Sequence, residues 1–197
     1  MEFNIIDEIE EKCEINLDWF YHSTYYDKSK YTSILTEGIK CNELLHNSGC
    51  RVYNGKYYIS LSKITIPDNQ CFRYYASLTP SFIINGIEPI KCVNIPEYEK
   101  YIDTKDPRRM GNYDGEYQYY YFIQNTYIIG IVYNLLNIQK TRTRFEKDPI
   151  IELIEISSLL EELNIDIPIY DYARRDNTVA HKINKEKLKY YSASFKY

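Results

Sequence analysis

Glycine is scarce in this chain, with 7 among 197 residues, and methionine (2) and tryptophan (1) are scarcer still. Neither a P-loop nor the glycine-rich fingerprint of a dinucleotide fold occurs, and seven scattered glycines leave little to make one from. Long apolar runs are also missing. No stretch of eighteen apolar residues occurs, so no helix of this chain is expected to span a membrane. The opening MEFNIIDEIEEKCEINL is acidic and has neither a basic start nor an apolar stretch, so a secretory leader is not expected. There is no CxxC pair, and Cys13, Cys41, Cys50, Cys71 and Cys92 make an odd set. Reduced thiols in a cytosol follow, and a disulfide scaffold does not. Finally, there is no basic surplus. With 24 basic and 28 acidic residues the net charge is -4, which argues against a broad basic nucleic-acid footprint but leaves room for a local patch or a single flipped base.

What the chain has in excess is tyrosine, 23 residues, alongside much Ile, Asn and Lys. That composition fits AT-rich coding, so a single tyrosine carries little weight. Hydrophobic residues at 44% and charged residues at 26% support a packed core. Without repeats or Pro/Gly linkers, residues 1–197 read as one domain.

Patterning predicts a short amphipathic helix over 2–13, a strand over 19–24, and a helix over 29–37 with Ser29 as N-cap and Gly38 as its stop. Turn signals fill 42–56, a strand follows over 57–61, and 69–78 can form a helix. Residues 81–84 and 90–95, split by Asn85-Gly86, have the pattern of a hairpin. A long polar loop covers 96–115, strands cover 116–123 and 128–133, and a helix covers 148–163. The last thirty residues carry little signal. Strand, helix, several strands and a late helix make an α+β domain with a largely antiparallel core.

Three segments carry candidate chemistry. Tyr21-His22-Ser23-Thr24 ends a strand in a ring and small hydroxyls that can present themselves to a ligand edge; a lone His is more often structural. Tyr57 and Tyr58 alternate on a strand, so one can face a cleft and stack on a flat heteroaromatic ligand, while both can equally be core. Asp114, Glu116 and Gln118 share one face if 114–118 is extended. A carboxylate leaving a loop there can bond a ribose hydroxyl or stabilise positive charge developing on a sugar ring; a solvated strand edge is its plain alternative.

In order, Tyr21-His22-Ser23-Thr24, Ile34-Leu35-Thr36-Glu37-Gly38, Tyr58-Ile59-Ser60 through Ser62 to Tyr74 or Tyr75, and Glu116 with Ile123 and Ile128-Ile129-Gly130-Ile131 resemble the ADP-ribosyltransferase fold. The branch they resemble is the His-Tyr-Glu one of diphtheria toxin and the poly-ADP-ribose polymerases. The resemblance covers about residues 18–135, with Ser23 in place of the commoner Gly, and 136–197 is an extension without family motifs. It implies a split antiparallel β-core with flanking helices. It also implies an enzyme that uses NAD as substrate and expels nicotinamide through an oxocarbenium-like state. By that resemblance Glu116 is catalytic, His22 binds a ribose of NAD and Tyr58 stacks on nicotinamide; Ser23, Thr24 and Arg73 are further NAD-binding candidates, Arg73 for the pyrophosphate. Asp114 contacts the acceptor, although the toxin branch usually has Gln or Glu there. The acceptor is an unidentified macromolecule, with protein preferred over nucleic acid because the chain is acidic. A toxin or effector acting in a cytoplasm as a monomer, without membrane partner or metal, is the setting implied. Convergence of His22, Tyr58 and Glu116 in one concave pocket is the expectation.

Alternatives from other classes are a non-catalytic binding module on the same fold and a cysteine hydrolase built on Cys13 or Cys71 with His181 or His22. Cys41, His46 and Cys50 lack an evident fourth zinc ligand. Arg108, Arg109, Arg142, Arg144, Arg174 and Arg175 are candidate anion contacts, or solvated surface.

Overall fold

A computed structural model describes residues 10–14, 16, 18–45, 57–63, 80–91, 116–133, 149–172 and 179–194. Within them, strands β1 (Glu10–Glu14), β2 (Phe20–Ser23), β3 (Ile39–Lys40), β4 (Tyr58–Lys63), β5 (Ser81–Ile84) and β6 (Ile90–Lys91) precede β7 (Glu116–Tyr120), β8 (Phe122–Ile123), β9 (Ile128–Tyr133), β10 (Ile169–Tyr172) and β11 (Val179–Ile183). The helices are α1 (Lys28–Glu37), α2 (Pro149–Glu162) and α3 (Lys185–Ser194), with a 3₁₀ turn at Asn125–Tyr127. Nine of the strands form one sheet in the order β1-β11-β10-β9-β5-β2-β4-β7-β6, and β3 pairs β8 in a small second sheet. Every pairing is antiparallel except β9 with β10. The fold is therefore α+β and mostly antiparallel.

The helices cover one face of the sheet. Tyr31, Ile34 and Leu35 of α1 and Leu153, Ile156 and Leu160 of α2 recur at three- and four-residue spacing and are buried. They pack in one core with Phe20, Ile59, Leu61, Phe82, Ile84, Ile131 and Ile169, the inward residues of successive strands. Behind the sheet a smaller core of Tyr21, Ile83 and Val132 packs with Trp19, Ile129 and Tyr170. Burial on both faces explains why β5 is apolar without alternation after Ser81, with all four residues buried.

Helix ends follow local chemistry. Asp27, not Ser29, caps α1: its Oδ1 accepts from the Lys30 N–H at 2.9 Å and from the Ser29 hydroxyl at 2.6 Å. Gly38 ends α1 as expected, at φ 113° and ψ 178°, a region open to glycine alone. The Asn125 amide, ninety residues on, donates to the Leu35 and Thr36 carbonyls at 3.2 and 2.9 Å, satisfying acceptors that the helix end leaves open. Asn164 (φ 53°) closes α2, with Ile165 N–H donating back to the Leu160 carbonyl at 2.8 Å.

Two expectations are corrected. Glu10–Glu14 is a strand rather than the end of a helix, because five successive residues pair with β11; residues 2–9 lie outside the described residues. The segments beginning at Ser81 and Ile90 are not a hairpin. β5 sits between β2 and β9, whereas β6 is an edge strand on β7. The Asn85-Gly86 turn is real, with Gly86 at φ 79°, but it sends the chain across to β7 instead of back along β5.

β7 and β8 are one run of chain broken at Tyr121, which adopts φ 61°. An aromatic residue there costs on the order of 1–2 kcal/mol. Two bonds hold it: Tyr121 N–H donates to the Tyr57 carbonyl, and its own carbonyl accepts from Cys41 N–H, both at 2.9 Å. The break transfers the chain from the large sheet to the small one.

Candidate functional site

β2 and β4 share only two register pairs, Phe20 with Lys63 and Tyr21 with Ser62. β2 keeps pairing with β5 on its other side through His22 and Ser23. The ladder between β2 and β4 thus ends one residue before His22. There the imidazole takes over: His22 Nδ1 lies 3.0 Å from the Ser60 carbonyl oxygen. A carbonyl only accepts, so Nδ1 carries the proton and Nε2 is left as an acceptor. Burial holds the His22 pKa below its ordinary 6.5, Lys30 pushes the same way, and the Ser60 carbonyl opposes them. The ring is neutral at pH 7, suited to accepting a hydroxyl proton and not to pairing with an anion.

Ser23 and Thr24 are tied to the scaffold. The Ser23 and Ser81 hydroxyls are 2.6 Å apart, joining β2 to β5. Thr24 N–H donates to the Pro80 carbonyl at 3.1 Å, and its own carbonyl accepts from the Tyr31 hydroxyl at 3.2 Å. Tyr31 packs in turn on Phe82, ring centroids 4.7 Å apart and inclined at 46°. These bonds fix how the chain leaves β2, and so where the His22 ring stands.

Along β4, Ile59 and Leu61 enter the helix-covered core, and Tyr58, Ser60 and Ser62 alternate to the other side. His22 is in register with Phe82, a core residue, so the pleat puts His22 and Tyr58 on opposite sides of the sheet. The β2/β4 seam lies between them. By backbone register Glu116 pairs with Ser62, which pairs with Tyr21, so it falls in the Tyr58 row, on the side of the sheet opposite His22; His22, Tyr58 and Glu116 do not converge in one pocket as expected. Two strand spacings of about 4.8 Å separate Glu116 from Tyr21 along that row. Arg73 and Asp114, and the six further arginine candidates, lie outside the described residues.

One cavity in this part of the molecule, of about 430 Å³, is lined by Glu88, Gln118, Tyr119, Tyr120, Tyr121 and Phe122, and not by His22 or Tyr58. Its lining follows the chain from β7 across the break at Tyr121, which strand periodicity could not reveal. Gly130, on β9, allows close packing: a Cβ there would stand 3.1 to 3.3 Å from Ile83, the Pro168 carbonyl and Tyr170.

Other chemistry is weaker. Cys41 is buried with a free thiol. His46 and Cys50 lie outside the described residues, among which no cluster of three metal-binding side chains occurs. Cys13 on β1 and His22 on β2 are separated by five strand spacings, about 24 Å, too far for a thiolate–imidazole pair. In β1 and β11, Cys13 pairs with Ala180 and His181 with Lys12. Among the described residues no helix is long and apolar enough to cross a membrane. No protein-family model, curated protein or solved structure matches the chain.

Proposed function

We propose that the chain is an ADP-ribosyltransferase-type enzyme that consumes NAD and transfers ADP-ribose to a macromolecular acceptor, protein being favoured by the acidic net charge. The observation that carries this reading is the seam where β2 and β4 part, with the neutral His22 at its lip and the Glu116 row beside it. The seam is bridged by the His22–Ser60 bond at the point where the strands' own pairing stops.

In this assignment Nε2 accepts a ribose hydroxyl proton, which a neutral imidazole does without competing for the pyrophosphate. Tyr58 offers its ring to nicotinamide. Glu116 supplies negative charge beside the anomeric carbon as the nicotinamide bond breaks, an interaction stronger in the transition state than in the ground state. Ser23 and Thr24, whose bonds run to β5 and α1, hold His22 in place and are assigned to positioning.

Incubation with nicotinamide-labelled NAD tests the assignment. Parent protein is expected to release nicotinamide, and Glu116→Gln to release it on the order of a hundredfold to a thousandfold more slowly with NAD affinity little changed. Unchanged turnover in Glu116→Gln would remove Glu116 from the chemistry. Absence of any turnover, together with NAD binding by the parent, would favour the non-catalytic module.

A further inference from the structure

The cavity between β6 and the β7/β8 break has a composition that the NAD assignment does not use. Its wall is aromatic: Tyr120 and Tyr121 are 50% and 53% exposed, with ring centroids 6.5 Å apart. Tyr57, 43% exposed, meets Tyr121 edge-on at 6.2 Å and props the group from behind. Soluble proteins seldom leave three large rings together in water, and such a group marks a contact surface.

Two polar side chains share the cavity. Gln118 is only 7% exposed and lines the cavity. Glu88, exposed on the loop entering β6, brings a carboxylate to the same space. An amide that donates, a carboxylate that only accepts and flanking tyrosine rings together describe a flat heteroaromatic ligand with one carbonyl and adjacent N–H donors.

We propose that this cavity binds a free guanine-type nucleoside, its base stacked on Tyr120 with the inclined Tyr121 ring beside it. The ring N–H and amino group donate to Glu88, and the base carbonyl accepts from Gln118. Adenine is rejected because its ring nitrogen beside the amino group is an acceptor facing a carboxylate. The acidic chain favours a nucleoside over a nucleic-acid strand. Tyr120 lies about 13 Å along β7 from Glu116 but directly opposite Tyr58 on β4, so this cavity adjoins the proposed NAD site, and guanosine binding is measured without NAD.

Saturation-transfer NMR and calorimetry with guanosine, adenosine and a guanine-containing single-stranded trinucleotide test this without NAD turnover. Guanosine is expected to bind at least tenfold more tightly than adenosine. Tyr120→Ala should weaken it on the order of tenfold to a hundredfold, and Glu88→Gln should erase the preference over adenosine. Tyr121→Gly removes a ring from a backbone position that suits glycine, so it should lose guanosine while keeping or raising thermal stability. No guanosine binding at millimolar concentration, equal adenosine binding, or indifference to both Tyr120→Ala and Glu88→Gln would overturn the proposal. Tighter binding of the trinucleotide than of guanosine would overturn the free-nucleoside assignment in favour of a strand.

Discussion

Gly38→Ala is expected to be among the most damaging single methyl additions in this protein, and two separate costs make it so. At φ 113° and ψ 178° the backbone stands where an L-alanine is strained, worth on the order of 1–3 kcal/mol. The added Cβ would also lie 2.3 Å from the Ile123 carbonyl oxygen and 2.8 Å from the Phe122 ring. The oxygen belongs to backbone held by the β3/β8 pairing of Ile39 with Ile123, so it cannot swing aside. Overpacking of this kind costs on the order of another 1–3 kcal/mol. A total near 4 kcal/mol corresponds to a fall of roughly 10 °C in Tm for a domain of this size. Differential scanning calorimetry or urea unfolding measures it, with Gly86→Ala as the control. Gly86 has φ 79° but meets only the Tyr127 ring at 3.5 Å, so it suffers the backbone strain without the collision. Phe122→Leu should not rescue Gly38→Ala, because the nearer obstacle is main chain. If Gly38→Ala loses no more stability than Gly86→Ala, the junction between α1 and the small sheet is looser than described.

Tyr58→Ala should weaken NAD binding on the order of tenfold to a hundredfold through lost stacking and alter turnover of the bound complex less; titration and single-turnover nicotinamide release separate the two, and an unchanged Kd would take Tyr58 out of the site. Because folding lowers the His22 pKa, the unfolded chain binds that proton more readily, so His22 should make stability fall as the pH drops below about 6.5 and have no such effect above it. Tm measured from pH 5 to 7.5 should show a shallower acid loss in His22→Gln, and parallel curves would contradict the lowered His22 pKa. Serine replacement of each of the five cysteines should leave nicotinamide release intact in every variant that folds; selective loss in one would revive the cysteine-hydrolase alternative.

Local chemistry was enough for several parts of this structure. The spacing of Tyr31, Ile34 and Leu35, and the Gly38 stop, marked α1 to within a residue at its start, and α2 was equally legible from its apolar repeat. Strands β2, β4, β5, β7 and β9 lie where the aromatic and β-branched runs put them, since those residues suit a pleated, half-buried surface wherever the strand ends up. Candidate residues were legible by type: a histidine ending a strand and a tyrosine alternating on the next. What they touch was not. Only the pairing of β2 with β5 and its early parting from β4 puts the His22 ring against the Ser60 carbonyl, 38 residues on, and so decides its tautomer and neutrality. Tertiary pairing also overrode local signals. The edge of β11 drew Glu10–Glu14 into a strand, and β9 took the place beside β5 that a hairpin partner would have filled. Residues 169–194 carried almost no local pattern, yet they supply two strands and a helix, because a neighbouring edge and the back of α2 provide the order that their own sequence does not. Strand propensity is read from one residue and its neighbours, whereas the choice of partner is a free-energy difference among distant segments, and only the folded chain evaluates it.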